Sequence, residues 1–324
     1  MNLRTLQTLT QHLAIGIASL IMSITLSSCA SAPILPATIL SPSSSTLVLE
    51  LTAITEMSNK IAKTEDEIRQ RELGIRQGYS ELIVPNLSYA RLEKLDDATL
   101  LAAFDAVDSA IFYLLKPDLV VIQTNIFDEL ASRKLLKSFH AVKLFDNLIR
   151  LRQFEAANKI KNVYPHVSKE ALPEFRTTFA YNETFPTAWI LRSDARVMEQ
   201  VGVQLDQQWQ IVVVSHPYCS FSRKAAAEIY SDTALSAKLT GHMLWVAPQD
   251  ASFSYDNFAK WNQQYPLAQH LFAHQQSVWP LAHFNQTPYF YFMKNGKVLE
   301  VVTGWPRESA KAAFIAALDR TTAK

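Results

Sequence analysis

The sequence predicts an all-helical region followed by an α/β domain with a central mixed sheet flanked by helices, and three observations carry that expectation. Between Leu47 and about Ala180, apolar residues recur at spacings of three and four, the period of a helix with one buried face. After Pro186, short β-branched and aromatic runs alternate with helical stretches. Near the end, Asn295-Gly296 separates two such runs, and because both residue types accept positive φ the pair predicts a hairpin turn.

The chain opens with neither region. Arg4 precedes an uncharged, mainly apolar stretch from Leu13 to Leu26, and small residues follow, which is the pattern of an export signal over residues 1–28. Coiled as a helix, that stretch would span only about 21 Å against a hydrocarbon core of about 30 Å, so a permanent membrane helix is disfavoured. Leu26-Ser27-Ser28-Cys29 resembles the bacterial lipobox, a branched apolar residue and two small ones ahead of a cysteine. The resemblance implies that Cys29 carries a diacylglycerol, becomes the acylated first residue after cleavage, and anchors the protein to a membrane. An ordinary signal peptide with a chance cysteine is the competing reading. Ala30 and Ser31 in place of an acidic residue imply, by resemblance to enteric bacterial lipoproteins, an outer-membrane location facing the periplasm. Residues 29–46 are uncharged and rich in Pro and Ser, a composition that reads as a tether.

Residues 47–182 make up the expected helical domain. Leu47, Leu51, Ile54 and Ile61 mark one helix face, and Leu101, Phe104, Val107, Ile111 and Leu115 mark another that ends at Pro117. A third set runs from about Leu119 to Val163 and turns near Gln153. Within it, LFDNLIRLRQFEAANKI resembles part of a tetratricopeptide repeat, with Leu144, Leu148, Phe154 and Ala157 at the packing positions. A stack needs about three repeats to bury a continuous core, and no second copy follows, so a bundle without repeats stands beside that reading.

Residues 187–324 carry the α/β pattern. Strands are expected at Ala188–Leu191, Arg196–Val203, Ile211–Val214, His242–Val246, Tyr289–Met293 and Val298–Val302, with helices from near Cys219, from about Tyr255 to Gln264 and from about Glu308 to Leu318. IVVVSHPYCSFSRKA is similar to the strand, loop and helix around the active site of thioredoxins and glutaredoxins. TPYFYFMKNGKVLEVVTG is similar to their second signature, with Thr287 before a cis Pro288 and steps of eight residues from Pro288 to Gly296 and from Gly296 to Gly304. The resemblance implies a thioredoxin-like fold for this domain, with Ala268–Ala282 as an inserted piece.

The chain has two cysteines, Cys29 and Cys219. The resemblance implies that Cys219 opens a helix and acts as a nucleophile. Helix N-terminal amides favour a thiolate by about 0.3 to 1 kcal/mol, which alone leaves a thiol with an ordinary pKa near 8.5 mostly protonated. His216 and Arg223 are placed to add positive charge. Tyr218, Thr287 and Pro288 would hold an extended substrate beside the sulfur. Ser222 stands where the family has its resolving cysteine, and Val213 where thioredoxins have a buried acid. The implied chemistry is therefore a mixed disulfide at Cys219 with envelope protein thiols or disulfides, released by an external thiol or by the substrate's own second cysteine. A non-catalytic peptide-binding or scaffold lipoprotein is the alternative. A shifted frame, with His216-Pro217-Tyr218-Cys219 as a C-P-Y-C motif lacking its first cysteine, would set the thiol deeper in the helix.

Other functions find less support. CSFS resembles the CGFS of cluster-binding monothiol glutaredoxins, but export argues against that intracellular chemistry, and no cofactor is expected. His270 and His274 could share a helical face near His283, yet no carboxylate or thiol joins them at a characteristic spacing, so no metal site is expected. With 31 Lys and Arg against 30 Asp and Glu, the chain lacks the basic footprint of a nucleic-acid binder.

Overall fold

Among the described residues, the first helix opens at Ser44. The computed structural model describes residues 44–177, 185–192, 196–284, 286–305 and 308–323; the expected export signal, Cys29 and most of the tether lie outside them. The helical region comprises α1 (Ser44–Asn59), α2 (Glu65–Gly78), α3 (Val84–Asn86), α4 (Tyr89–Leu92), α5 (Asp97–Leu114), α6 (Pro117–Ser132), α7 (Ser138–Arg150) and α8 (Phe154–Val163). Local chemistry sets the boundaries. The Thr64 side chain accepts the Glu67 amide at the start of α2, and Asp96 accepts the Thr99 amide at the start of α5. Leu115, at φ 50°, ends α5 two residues before Pro117 opens α6. The central helix is α5, packed against α1, α2, α6 and α7. Its Leu100, Phe104, Val107 and Ile111 are fully buried, each contributing about 1.5–3 kcal/mol.

The rest of the chain builds one mixed sheet: β1 (Glu174–Thr177), β2 (Thr187–Arg192), β3 (Val197–Gly202), β4 (Gln210–Val214), β5 (Met243–Ala247), β6 (His270–Ala273), β7 (Tyr289–Lys294) and β8 (Lys297–Thr303). Between and after these strands lie α9 (Ser220–Ser231), α10 (Thr233–Leu239), α11 (Tyr255–Gln264) and α12 (Glu308–Thr322). The spatial order is β1-β3-β2-β6-β5-β4-β7-β8. Pairing is parallel for β1/β3, β4/β5 and β5/β6, and antiparallel for β2/β3, β2/β6, β4/β7 and β7/β8.

The central strands are buried on both faces, and their alternation sorts the core. Ile211, Val213, Phe290 and Phe292 face a cluster completed by Ala225 and Ile229 of α9 and Phe314 of α12. Val212, Val214, Tyr291 and Met293 face the opposite cluster, which is closed by Trp279, Leu281 and Phe284 from the segment before β7. Asn295 and Gly296 take φ of 48° and 78° in the β7–β8 hairpin, as their residue types predict.

Two strands were not expected. The helical pattern ends at Val163, short of Ala180, and β1 forms within the region read as helical. It is a four-residue edge strand whose one inward side chain, Phe175, stacks on Phe154 at 3.6 Å, and a single apolar residue sets no period. The second, β6, lies inside the expected insertion and fills the place between β5 and β2. Its short run, HLFA, is mostly buried, and such a run does not distinguish strand from helix by periodicity. His270 and His274 therefore do not share a helical face.

Helices and sheet share one apolar core. Phe154 of α8 contacts Phe175 of β1 and Trp189 of β2, and the same cluster takes in Ala247, Tyr255, Phe258 and Phe272. Leu144, Leu148, Phe154 and Ala157 are buried between α7 and α8 and their neighbours. Among the described residues, no helix is long and apolar enough to cross a membrane.

Candidate functional site

At the carboxyl end of β4 the chain leaves the sheet through Ser215, turns over His216-Pro217-Tyr218, and re-enters helix at α9. The turn is closed by the Cys219 amide, which donates to the His216 carbonyl at 2.9 Å. Cys219 is the N-cap of α9, with extended backbone. The helix therefore opens at the cysteine, and the frame that would set the thiol deeper in the helix is not the one adopted.

The partly buried Cys219 thiol donates to the Thr287 carbonyl at 3.2 Å. The Thr287–Pro288 peptide is cis, and the Pro288 carbonyl accepts the Gly304 amide at 3.0 Å, which pins this loop to the end of β8. Gly304 has φ 77°, a conformation that favours glycine. Three residues into α9, the fully buried Ser222 hydroxyl has no hydrogen-bond partner among the described residues.

The thiol and the thiolate meet different surroundings. Burial pushes the Cys219 thiol up, but hydrogen bonds from the Thr287 side chain, the Ser222 amide and hydroxyl, and the Phe221 amide outweigh it and hold the thiol below its ordinary value. Donation to the Thr287 carbonyl is open only to the protonated sulfur. On ionisation the sulfur becomes an acceptor, and the orphaned Ser222 hydroxyl gains a partner.

His216 does not supply the expected charge. The His216 ring lies under the turn, where Nε2 donates to the Ser252 carbonyl at 3.0 Å and Nδ1 accepts the Tyr218 amide at 3.2 Å. Burial holds this imidazole below its ordinary value and so neutral, against the opposing pull of Asp250. Arg223 braces the turn, donating from Nη1 to the Pro217 carbonyl at 2.7 Å. The residues that depress the thiol are instead Thr287, Ser222 and Phe221.

Tyr218 and Phe221 flank the sulfur as half-exposed aromatic side chains. Tyr218 stacks on His216, and its hydroxyl accepts from Asn257 Nδ2 at 2.9 Å. Beneath this layer His270 is fully buried among Trp245, Phe258 and Trp261, with Nε2 2.6 Å from the Ser215 hydroxyl. The structure thus brings Cys219, Ser222 and the cis Thr287–Pro288 peptide together, with Tyr218 half-exposed in the turn beside them and His216 buried under it. Asn257 and Ser252 were missed by sequence reasoning, since a polar residue within α11 or in a loop carries no signal before its neighbours are known. Among the described residues, no group of three or more His, Cys, Asp or Glu could hold a metal ion.

Comparison with known families and with curated proteins gave no match. Among solved structures, an uncharacterized conserved protein from Geobacillus kaustophilus is similar over 44% of this chain and 84% of its own, at 19% identity and a TM-score of 0.28.

Proposed function

We propose that this protein is an exported, lipid-anchored thioredoxin-like protein that acts on thiols and disulfides of envelope proteins through a mixed disulfide at Cys219. The observation that carries the reading is the meeting of Cys219 at the start of α9, the Thr287 carbonyl 3.2 Å away, and the buried Ser222 hydroxyl. The sheet supports it: β4 lies between a parallel β5 and an antiparallel β7, β8 follows β7 as a hairpin, and the thiol sits at the carboxyl end of β4. Export and lipidation at Cys29 rest on the sequence pattern of residues 1–31.

In the first step the Cys219 thiolate attacks one sulfur of a substrate disulfide. That bond breaks, a new one joins the attacked sulfur to Cys219, and the second substrate sulfur departs as a thiolate that takes a proton from water. Thr287 offers backbone for pairing to the substrate chain, and Tyr218 and Phe221 offer apolar contact beside it. Ser222 cannot carry out the second step, because a hydroxyl does not displace a sulfur. A thiolate from outside, or the substrate's second cysteine, attacks the mixed disulfide and returns Cys219 as a thiolate.

Trapping in intact cells tests this. With the full chain, disulfide-linked adducts are expected on non-reducing gels after free thiols are rapidly blocked with alkylating reagent, and Cys219→Ala should abolish them. If no Cys219-dependent adduct forms under oxidising or reducing stress, the redox reading falls and the peptide-binding or scaffold alternative takes its place.

A further inference from the structure

Arg152 is the most heavily committed buried cation in the described chain, and its partners lie at the edge of the candidate site. It occupies the turn between α7 and α8 at φ 59°. Its guanidinium is buried and donates to four carbonyls: Nε to Ala273 at 3.0 Å, Nη1 to Ile149 at 3.2 Å and to Asp250 at 3.1 Å, and Nη2 to Pro248 at 2.9 Å. No described carboxylate lies within ion-pair distance of it. Burying a cation is costly, and the four carbonyls with the more distant Asp250 charge offset that cost here. What the arginine provides is geometry, because its planar fork fixes several acceptors at once.

Those acceptors lead to the thiol. Pro248 and Asp250 begin the loop between β5 and α11, and the same loop presents the Ser252 carbonyl to His216 Nε2. Within the loop, the Asp250 carboxylate accepts the Ser252 amide at 3.0 Å, and the Asp250 amide donates to the Pro248 carbonyl at 3.0 Å. On its other side the His216 ring receives the Tyr218 amide, the residue before Cys219. Phe253 of the loop packs into the core shared with the helices, against Phe154 and Phe175. A continuous set of contacts therefore runs from the helical region through Arg152, the 248–252 loop and His216 to the turn that opens α9. We infer that Arg152 is a positioning residue for Cys219, setting through the 248–252 loop and His216 the turn that aims the α9 amides at the sulfur.

This inference rests on the proposed thiol chemistry only for its importance, and the two are tested separately by one measurement. Alkylation of Cys219 by iodoacetamide is followed against pH in the full chain, with the modified peptide read by mass. The absolute wild-type pKa tests the thiol chemistry: a value at or above about 8.5 sinks that reading. The change on substitution tests the positioning. Arg152→Lys keeps the charge and loses the fork, and is expected to raise the apparent pKa by about half a unit, slowing alkylation about threefold below the pKa.

His216→Phe, which keeps the stack on Tyr218 and loses both hydrogen bonds, should do the same. The two substitutions combined should shift the pKa no further than either alone, since they break one chain of contacts. Should Arg152→Lys fail to fold by thermal melting, His216→Phe alone carries the test. An unchanged pKa in a folded Arg152→Lys protein, additive shifts in the double variant, or an unchanged pKa in His216→Phe overturns the inference.

Discussion

Ser222→Cys should turn a thiol that holds its partner into one that releases it. Cα atoms three apart on a helix lie about 5 Å from one another, inside the roughly 4.4–6.8 Å window between Cα atoms that a disulfide requires. The buried Ser222 hydroxyl has no other partner among the described residues, and with the Ser222 amide it is among the groups that hold the thiol below its ordinary value. When the wild-type protein reacts with a small aromatic disulfide, the mixed disulfide at Cys219 should persist until an external thiol is added. In the substituted protein the new thiolate attacks the Cys219 sulfur, an intrachain bond forms, and the small thiolate departs. Because the attack is intramolecular, release should be faster by at least about 100-fold at equal pH and without added thiol. Among the described residues no carboxylate is buried to receive the proton of the new thiol, and the neighbouring strand position Val213 is apolar, so the rate should climb with pH as the new thiol ionises in solvent. Mass spectrometry of the intact protein follows both species. Equal adduct lifetimes in the two proteins would mean that Ser222 does not face the sulfur.

The parts of this site that could be read in the sequence came from local chemistry and from the resemblance to thioredoxins. Residue types alone dictate the Asn295-Gly296 turn, whereas Cys219 at a helix start, the cis Pro288 and Gly304 were expected from that resemblance. The β-branched buried strand Ile211–Val214 was equally legible, because such a run has few other uses, whereas the buried run of β6 was not. What could not be read depends on partners distant in the chain. His216 beside a cysteine suggests a source of charge, and only its burial in the fold, between the Tyr218 amide and the Ser252 carbonyl 36 positions on, shows it to be a neutral brace. Nothing in the stretch RLRQFE signals a buried cation, and the burial of Arg152 follows from carbonyls of which three lie 96 to 121 positions further on. Phe175 sets no strand period by itself, and β1 exists because Phe154 and β3 complete it.

Mild acid should weaken the fold, and the histidines give the sign. Burial holds His140, His216, His270 and His274 below the ordinary imidazole value, His270 far below and His274 at about 4, where the nearby Arg152 cation adds to the effect. The unfolded chain protonates its histidines near pH 6.5 and the folded one does not, so the unfolded state binds more protons and stability falls as pH drops below about 6.5. For His274 the loss continues to about pH 4.

The structural cause is visible at that residue: Nδ1 accepts the Trp189 indole N–H at 3.0 Å, a bond the protonated ring cannot make. A tenfold change in proton affinity is about 1.4 kcal/mol, and after allowance for partial exposure His274 should contribute about 2 kcal/mol of the loss. Asp128 and Asp146 work in the opposite direction, because burial raises their carboxyls and their protonation in the fold offsets part of the loss at the acid end. The melting midpoint should therefore fall most steeply between about pH 6.5 and 5, before those carboxyls take up protons.

His274→Gln leaves an uncharged acceptor within reach of Trp189 and removes one titration. It should flatten the dependence by roughly 4 to 8 °C over the full range to pH 4, at about 2–4 °C per kcal/mol for a chain of this size. A midpoint unchanged between pH 7.5 and 5 in the wild-type protein would mean that these rings are open to protons in the fold. A fall of equal size in the His274→Gln protein would place the acid sensitivity in the His216 and His270 pair behind the thiol, where protonation would break the bond from the Tyr218 amide to His216 Nδ1 and disturb Cys219 before the fold is lost.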